Sequence, residues 1–236
     1  MQVAEQRRLK AVAEAEANDD TAAATVDLTL NIYEWLFLGP LYFGTPLQEA
    51  AWSPGTPQFI YDTGASYTAV AGTDCGDNCV QQYYDPTASS TYASVSTTQE
   101  TLSFTNPMFL NGTDPATLKV ETVSDIVCLD LAGTQCASDF VFYEIVDEDV
   151  ASIIEDISGI LGFAPGTEEQ PSYLEALVTA GVIDAPELTV NLNTADGTTS
   201  SITLGTYGDS ATTAIGPVGT VNAADTNTTL SFANYI

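Results

Sequence analysis

Short apolar runs separated by turn residues dominate the chain after about residue 25. Runs rich in Val, Ile, Thr, Tyr and Phe alternate with clusters of Gly, Pro, Asn, Asp and Ser, which is typical of β-strands joined by tight turns. The clearest predicted strands cover residues 58–61, 117–123, 140–146, 188–192 and 201–204. The pattern therefore predicts an all-β fold.

One segment carries its apolar residues at helical spacing instead. Residues 172–178 place apolar side chains on one helical face,. Pro171 precedes this segment and Gly181 follows it, which suits a helix start and a helix end. We therefore expect one short helix near residues 172–180. Residues 1–24 are charged and Ala/Glu-rich and differ from the rest. We interpret them as a disordered or helical leader, and residues 25–236 as the folded lobe.

The charge balance excludes two classes of partner. The 236 residues include 32 acidic and four basic ones and no histidine, giving a formal net charge of −28. Nucleic-acid binding needs a basic surface, and an anionic membrane would repel this chain. The longest apolar patch, residues 35–43, is interrupted by Gly39 and Pro40 and is too short to span a bilayer,. Adaptation to low pH and adaptation to high salt both remain open as reasons for the acidity.

The absence of histidine restricts the chemistry further. Serine–histidine and cysteine–histidine catalysis are excluded in their usual form, and so are zinc sites built with histidine,. Carboxylates remain as the acid–base groups.

The four cysteines form two closely spaced pairs, which allows three disulfide connectivities in principle,. The simplest is Cys75–Cys79 with Cys128–Cys136. These spacings lack the C-x2-C arrangement of common zinc sites. Disulfides would indicate an oxidising compartment, whereas four free buried thiols remain the alternative.

The most informative motif lies at residues 59–66. An apolar strand delivers Asp62, and Thr63 and Gly64 then turn the chain, which places a carboxylate at the tip of a tight loop. Gly64 permits a close backbone approach that a Cβ would obstruct, and the Thr63 hydroxyl can hydrogen-bond a neighbouring loop. On its own, Asp-Thr-Gly also fits an ordinary turn.

The segments around this motif follow a characteristic order. An aromatic-Gly-Thr-Pro segment precedes Asp62, a Cys–Cys loop and a Tyr-Asp-Pro segment follow it, and an apolar-apolar-Gly segment comes later. In sequence order these are residues 42–48, 62–66, 75–79, 84–92, 158–164, 171–192 and 203–205. Taken together, the chain resembles the pepsin-like aspartic protease family.

The resemblance implies a fold and a mechanism. It implies the amino-terminal lobe of the bilobal pepsin-like acid protease fold, all-β with one or two short helices. Family members use two aspartates that share a proton and activate water against a peptide bond, without metal or cofactor. The substrate would be a protein or peptide. The site residues it implies are catalytic Asp62, the loop-supporting residues Thr63, Gly64, Ser66, Ile160, Leu161 and Gly162, and Phe104 in the flap over the substrate cleft.

Several features depart from the family pattern, and three of them concern the catalytic groups. Asp-Thr-Gly occurs once in the sequence, so we expect the carboxy-terminal lobe and its aspartate to be missing from this chain. Ala65 stands where the family usually has a hydroxyl that bonds the catalytic carboxylate. Phe104 lacks the hydroxyl of the flap tyrosine, and a core strand residue is an equally good interpretation of it.

Three functions therefore remain open. The first is an aspartic endopeptidase, and the second is an inactive relic that binds peptides. The third is a single-lobe protease that is active only as a homodimer. The sequence Asp-Thr-Gly-Ala suits this function, and so would an apolar surface on strands within residues 200–236,. The resemblance makes residues 1–24 a candidate propeptide remnant. It also implies the secretory pathway, with the protein in an extracellular or an acidic vacuole- or lysosome-like location.

Overall fold

The computed structural model describes residues 24–31, 36–50, 59–76, 79, 84–104, 116–148, 157–167, 170–191 and 200–205. The predicted leader lies outside these ranges except for Ala24, where the first strand begins. Residues 206–236 also lie outside them, so the predicted surface on the terminal strands is described only as far as Gly205.

The described residues form twelve strands, one α-helix and one turn of 3₁₀-helix at Pro86–Ala88. The helix is α1 (Tyr173–Thr179). The strands are β1 (Ala24–Asn31), β2 (Leu36–Gly39), β3 (Tyr42–Phe43), β4 (Gln48–Glu49), β5 (Phe59–Asp62), β6 (Ala69–Ala71), β7 (Ala93–Phe104), β8 (Ala116–Cys128), β9 (Cys136–Glu148), β10 (Gly159–Gly162), β11 (Leu188–Asn191) and β12 (Ser200–Leu204).

The strands join into one mixed sheet. Its order is β11-β12-β1-β2-β5-β10-β6-β9-β8-β3-β4, and β7 also pairs with β8. Two neighbouring pairs are parallel, β5 with β10 and β6 with β9, and the other pairs are antiparallel. These parallel pairs bring segments together that are far apart in sequence, and both flank the Asp62 loop.

The all-β lobe predicted from the sequence is confirmed by this architecture. Each of the five predicted strands overlaps an observed one: β5, β8, β9, β11 and β12. Strands β7, β8 and β9 form two long hairpins, in which Phe104 lies opposite Ala116 and Cys128 lies opposite Cys136.

The predicted helix is also present and is fixed at its start by side chains. Ser172 Oγ accepts a hydrogen bond from the Glu175 backbone N–H at 3.3 Å, and Glu175 Oε2 accepts one from the Ser172 N–H at 2.7 Å. This reciprocal pair is a capping box. Gly181 follows the helix with φ +71°, a left-handed conformation that favours glycine at a helix end,.

Aromatic rings fill the centre of the lobe. The Phe43 ring lies 5.5 Å from that of Phe59, 5.2 Å from that of Tyr84 and 5.2 Å from that of Phe142. Helix α1 packs on the same core through Tyr173, whose hydroxyl donates to the Val127 carbonyl oxygen at 3.0 Å. Burial of such rings supplies much of the stabilisation of a lobe this size. It also gives β5 a rigid base from which to present Asp62.

Candidate active site

Asp62 ends a strand that is otherwise buried. Phe59, Ile60 and Tyr61 of β5 lie in the core, and Asp62 is partly exposed where the strand meets the loop. The Tyr61 ring lies against Gly39, and its hydroxyl donates to the Pro40 carbonyl oxygen at 2.7 Å. These contacts hold Tyr61, the last residue before the carboxylate, against the end of β2.

Backbone hydrogen bonds fix the carboxylate and the loop. The Gly64 N–H donates to Asp62 Oδ1 at 2.7 Å. The Phe163 N–H donates to the Asp62 carbonyl oxygen at 2.8 Å, and the Ala164 N–H donates to that of Ala65 at 3.0 Å. Because these donors belong to the main chain, the carboxyl group and the loop backbone are held without depending on flexible side chains.

Strand β10 lies between the two arms of the loop. It runs parallel to β5, with Gly162 opposite Asp62, and antiparallel to β6, with Ile160 opposite Ala69. A Cβ on Gly162 would lie 2.3 Å from the Tyr67 carbonyl oxygen and 2.5 Å from that of Ala65. Only glycine therefore lets the loop fold over this strand.

The structure brings most of the predicted site residues together. Gly64 contacts the Asp62 carboxylate directly, and the predicted support residues Ile160, Leu161 and Gly162 form β10 beside it. The side chains of Thr63 and Ser66 are exposed, whereas that of Ala65 is buried. The supporting roles themselves remain predictions.

Phe104 is described only by its backbone. Its backbone ends β7 opposite Ala116, as expected for a strand residue. The loop that would form the flap, residues 105–115, lies outside the described ranges. The assignment of Phe104 to a flap therefore stays a prediction.

Tyr67 is a residue of this loop that the sequence reasoning missed. Burial, followed by the charges of Asp62 and Tyr143, raises the pKa of its phenol. Its ring packs edge-on against that of Tyr143, with centroids 5.9 Å apart. Tyr143 in turn lies near Glu100 of β7, whose charge and hydrogen bond, after burial, raise the pKa of Tyr143. Tyr67 thus connects the Asp62 loop with β9 and the β7–β8 hairpin. An aromatic residue five positions after the Asp was the available signal.

Both predicted disulfides are present. Cys75 is bonded to Cys79 just after β6, and Cys128 is bonded to Cys136 across the β8–β9 hairpin. The described residues contain no free cysteine. The first disulfide closes a turn a few residues beyond the Asp62 loop, so it limits the movement of that segment.

Two further properties concern ligands and membranes. Within the described ranges, no group of three or more His, Cys, Asp or Glu side chains is arranged to hold a metal ion. No helix in the described part of the chain is long and apolar enough to cross a membrane.

Comparisons with known proteins match the part of the sequence that contains the Asp62 loop. A sequence model of the family described as "Eukaryotic aspartyl protease" matches residues 37–231. A relative called "Major aspartyl peptidase 1", from Cryptococcus neoformans var. grubii, is 30% identical over 193 residues. The match covers 79% of this chain and 35% of the relative, so the chain spans about a third of that protein's length. The family match includes both Asp62 and the β10 strand that holds its loop, and the chain belongs to the eukaryotic aspartyl protease family.

Proposed function

We propose that this chain forms one lobe of an aspartic-type endopeptidase and that Asp62 is one of the two carboxyl groups that activate water. The supporting observation is the geometry of Asp62, which is partly exposed at the end of a buried strand. Its Oδ1 accepts a hydrogen bond from the Gly64 backbone at 2.7 Å. This main-chain hydrogen bond holds the carboxyl group at the tip of the loop.

The reaction needs one ionised and one protonated carboxyl group. The ionised group removes a proton from water while the water oxygen attacks the peptide carbonyl carbon. The protonated group donates to the carbonyl oxygen, and proton transfer to the nitrogen then releases the amine. Two carboxyls at close range share one proton because both cannot ionise together. Asp62 supplies one of this pair.

The second carboxyl would come from outside the described residues. A second lobe is the first source, and a second copy of this chain, contributing its own Asp62, is the alternative. The exposed Thr63 hydroxyl next to Asp62 is available to hydrogen-bond such a partner,. The match to about a third of a peptidase is consistent with one lobe of a larger enzyme.

An inactive peptide-binding relic is the competing function. Ala65 favours it, since this buried methyl group puts no hydroxyl beside the Asp62 carboxylate. The lack of a hydroxyl on Phe104 favours it as well. In both cases the ligand class is an extended polypeptide. We assign the protein to the secretory pathway, extracellular or in an acidic vacuole-like compartment, because two disulfides require an oxidising environment,.

The test is cleavage of a denatured protein at about pH 3 to 5, where a carboxyl pair can share a proton. The 236-residue chain is compared with Asp62→Asn and with Asp139→Asn over a range of protein concentration. Asp139 is an exposed residue with φ +51°, a conformation that Asn tolerates, so its variant controls for the loss of one carboxylate,.

We expect Asp62→Asn to reduce cleavage at least about 10³-fold, as removal of a catalytic group typically does, and Asp139→Asn to leave it unchanged. A rate that rises with the square of concentration would identify a homodimer. If the chain alone is inactive, Asp62→Asn is repeated with a second lobe of the family supplied in trans. Cleavage that survives Asp62→Asn would contradict the proposal, and binding of peptide without cleavage in either format would favour the relic.

A further inference from the structure

A second carboxyl pair lies beside the strand that leaves the Asp62 loop. Glu144 is on β9, directly opposite Val70 of β6 in a parallel pair. Its side chain is only 3% exposed. The sequence alternation of β9 places it on the same face as the buried Phe140 and Phe142. A carboxyl group therefore occupies a core position close to the proposed catalytic loop.

The two oxygens of Glu144 have different surroundings. Oε2 accepts a hydrogen bond from the Tyr92 hydroxyl at 3.3 Å. Oε1 is buried and accepts no hydrogen bond from any residue that the structure describes. The carboxyl of Asp74 lies against the same face of Gly72: a Cβ on Gly72 would lie 2.3 Å from Glu144 Oε1 and 2.8 Å from Asp74 Oδ1, and the two side chains interact. Two ionised carboxylates can only accept hydrogen bonds, so this contact becomes a hydrogen bond only when one of them is protonated.

The turn that carries Asp74 is firmly held. The Gly72 N–H donates to the Ile145 carbonyl oxygen at 3.3 Å, and the Thr73 N–H donates to that of Tyr84 at 2.8 Å. The Cys75 N–H donates back to the Gly72 carbonyl oxygen at 3.1 Å, and Cys75 is disulfide-bonded to Cys79. These contacts fix the main chain of the turn and so keep the exposed Asp74 side chain within reach of Glu144.

The charges around Glu144 all favour a bound proton. Burial and then the Asp74 carboxyl raise its pKa from 4.5 to about 7; Glu121 of β8 acts in the same direction, and the Tyr92 hydrogen bond opposes them. Lys119 is the basic residue of the described ranges, and its ammonium group is bound to Asp147. No cation in the described part of the chain therefore compensates this pair.

We propose that Glu144 and Asp74 share one proton and act as an acid-dependent lock on the strand that leaves the Asp62 loop. With the proton in place, the pair joins the end of β6 to β9. Without it, the buried charge of Glu144 and the charge of the exposed Asp74 repel each other beside Gly72, and the hydrogen bond that ties the turn at Gly72–Asp74 to β9 is lost. This goes beyond the proposed function, because it concerns the stability of the lobe and holds whether or not Asp62 is catalytic.

The experiment is unfolding of the 236-residue chain between pH 4 and pH 8. An acid whose pKa is higher in the folded state stabilises the fold fully below its unfolded pKa. That contribution is lost as the pH rises from about 4.5 to about 7. Glu144→Gln carries an amide that can donate to Asp74 at every pH, so the loss should disappear in this variant. Glu187→Gln removes one exposed carboxylate and serves as the matched control.

We expect the Tm of Glu144→Gln relative to wild type to increase across this pH range by roughly 4 °C or more, on the scale that applies to a chain of this size. Glu187→Gln should follow the wild-type curve. A Glu144→Gln curve parallel to that of the wild type would overturn the lock.

A second measurement keeps the proposal testable if Glu144→Gln does not fold. The carboxyl ¹³C resonance of Glu144, assigned by site-specific labelling, should titrate near pH 7 in the wild type. In Asp74→Asn, the new amide can donate to Glu144 and the like charge is gone, so the midpoint should fall by at least one pH unit. A wild-type midpoint near 4.5, or a midpoint unchanged in Asp74→Asn, would show that the two carboxyls share no proton.

Discussion

Two neighbouring strands each bury a carboxyl group, and the two groups have different partners. Asp125 of β8 is 0% exposed and Glu144 of β9 is 3% exposed. Asp125 accepts three hydrogen bonds: from the Tyr84 hydroxyl at 2.9 Å, the Thr91 hydroxyl at 2.5 Å and the Ile126 N–H at 2.8 Å. Glu144 accepts one, from Tyr92 at 3.3 Å. Burial is nearly equal, so the supply of donors distinguishes the two sites.

Space around the carboxyls does not explain the contrast. A Cβ on Gly44 would lie 3.1 Å from Asp125 Oδ2, and one on Gly72 would lie 2.3 Å from Glu144 Oε1. Each group thus fits against a glycine backbone. The comparison indicates that Asp125 is a structural anchor, whereas Glu144 requires a proton to be accommodated in its site.

The largest expected effect is the loss of the Asp125 anchor. Asp125→Ala leaves the Tyr84 hydroxyl and the Ile126 N–H without their acceptor, whereas the Thr91 hydroxyl can still donate to Thr45 Oγ1 at 3.1 Å. Each orphaned polar group costs roughly 1–3 kcal/mol, so the free energy of unfolding should fall by about 2 kcal/mol or more. Denaturant unfolding at pH 7.5 measures this loss.

Glu144→Gln under the same conditions provides the contrast, since it should stabilise the lobe at this pH. Equal losses for Asp125→Ala and Glu144→Gln would refute the idea that donor supply separates the two sites.

Part of the contrast between Asp125 and Glu144 could be predicted from the sequence. Strand alternation puts Asp125 on one face with Val123 and Val127, and Glu144 on one face with Phe142, so both carboxyls could be predicted as buried,. Their donors could not be. Tyr84 lies 41 residues from Asp125, and Tyr92 lies 52 residues from Glu144. Local patterns carry no information on contacts at that separation.

At the candidate site, too, local features could be predicted from the sequence and long-range contacts could not. The strand, the tight loop and the need for Gly64 followed from residues 59–66 alone. The support from Ile160–Gly162 came from the family resemblance, because a parallel pairing of β5 with β10 joins residues about 100 positions apart,. Tyr67 was missed since its contact with Tyr143 depends on the parallel pairing of β6 with β9, which also joins distant segments.

A matched pair of Tyr→Phe variants sharpens the comparison with a smaller effect. Both phenols remain protonated donors at ordinary pH, because burial and adjacent carboxylates raise the pKa of Tyr84 and bring that of Tyr92 to about 12. Tyr84→Phe removes a short buried hydrogen bond and should cost about 1–3 kcal/mol of unfolding free energy at pH 7.5. Tyr92→Phe removes a long, partly exposed one and should cost about 0.5–1 kcal/mol there.

The pH dependence of the Tyr92 variant is the decisive part. A protonated carboxyl accepts a weaker hydrogen bond than a carboxylate, so Tyr92→Phe should cost less at pH 4.5, and its cost should grow as Glu144 ionises towards pH 7,. Denaturant unfolding of both variants at pH 4.5 and pH 7.5 makes the measurement. A Tyr92→Phe cost that is the same at both pH values would separate Tyr92 from the ionisation of Glu144.

The smallest expected effect concerns an exposed carboxyl. Asp147 forms a salt bridge with Lys119, and their side chains are 36% and 54% exposed. Asp147→Asn breaks this pair but also removes one negative charge from a chain of formal net charge −28, and the two effects oppose each other,. We expect a change in unfolding free energy within about 0.5 kcal/mol. In 1 M NaCl, where the screening length is only about 3 Å, any change should vanish. A loss above about 1 kcal/mol that persists in high salt would mean that an exposed carboxyl can stabilise this lobe as a buried one does. Solvent exposure would then no longer explain why Asp125 stabilises the fold more than Asp147. The geometry of the hydrogen-bond donors alone would have to explain the different contributions of Asp125, Glu144 and Asp147.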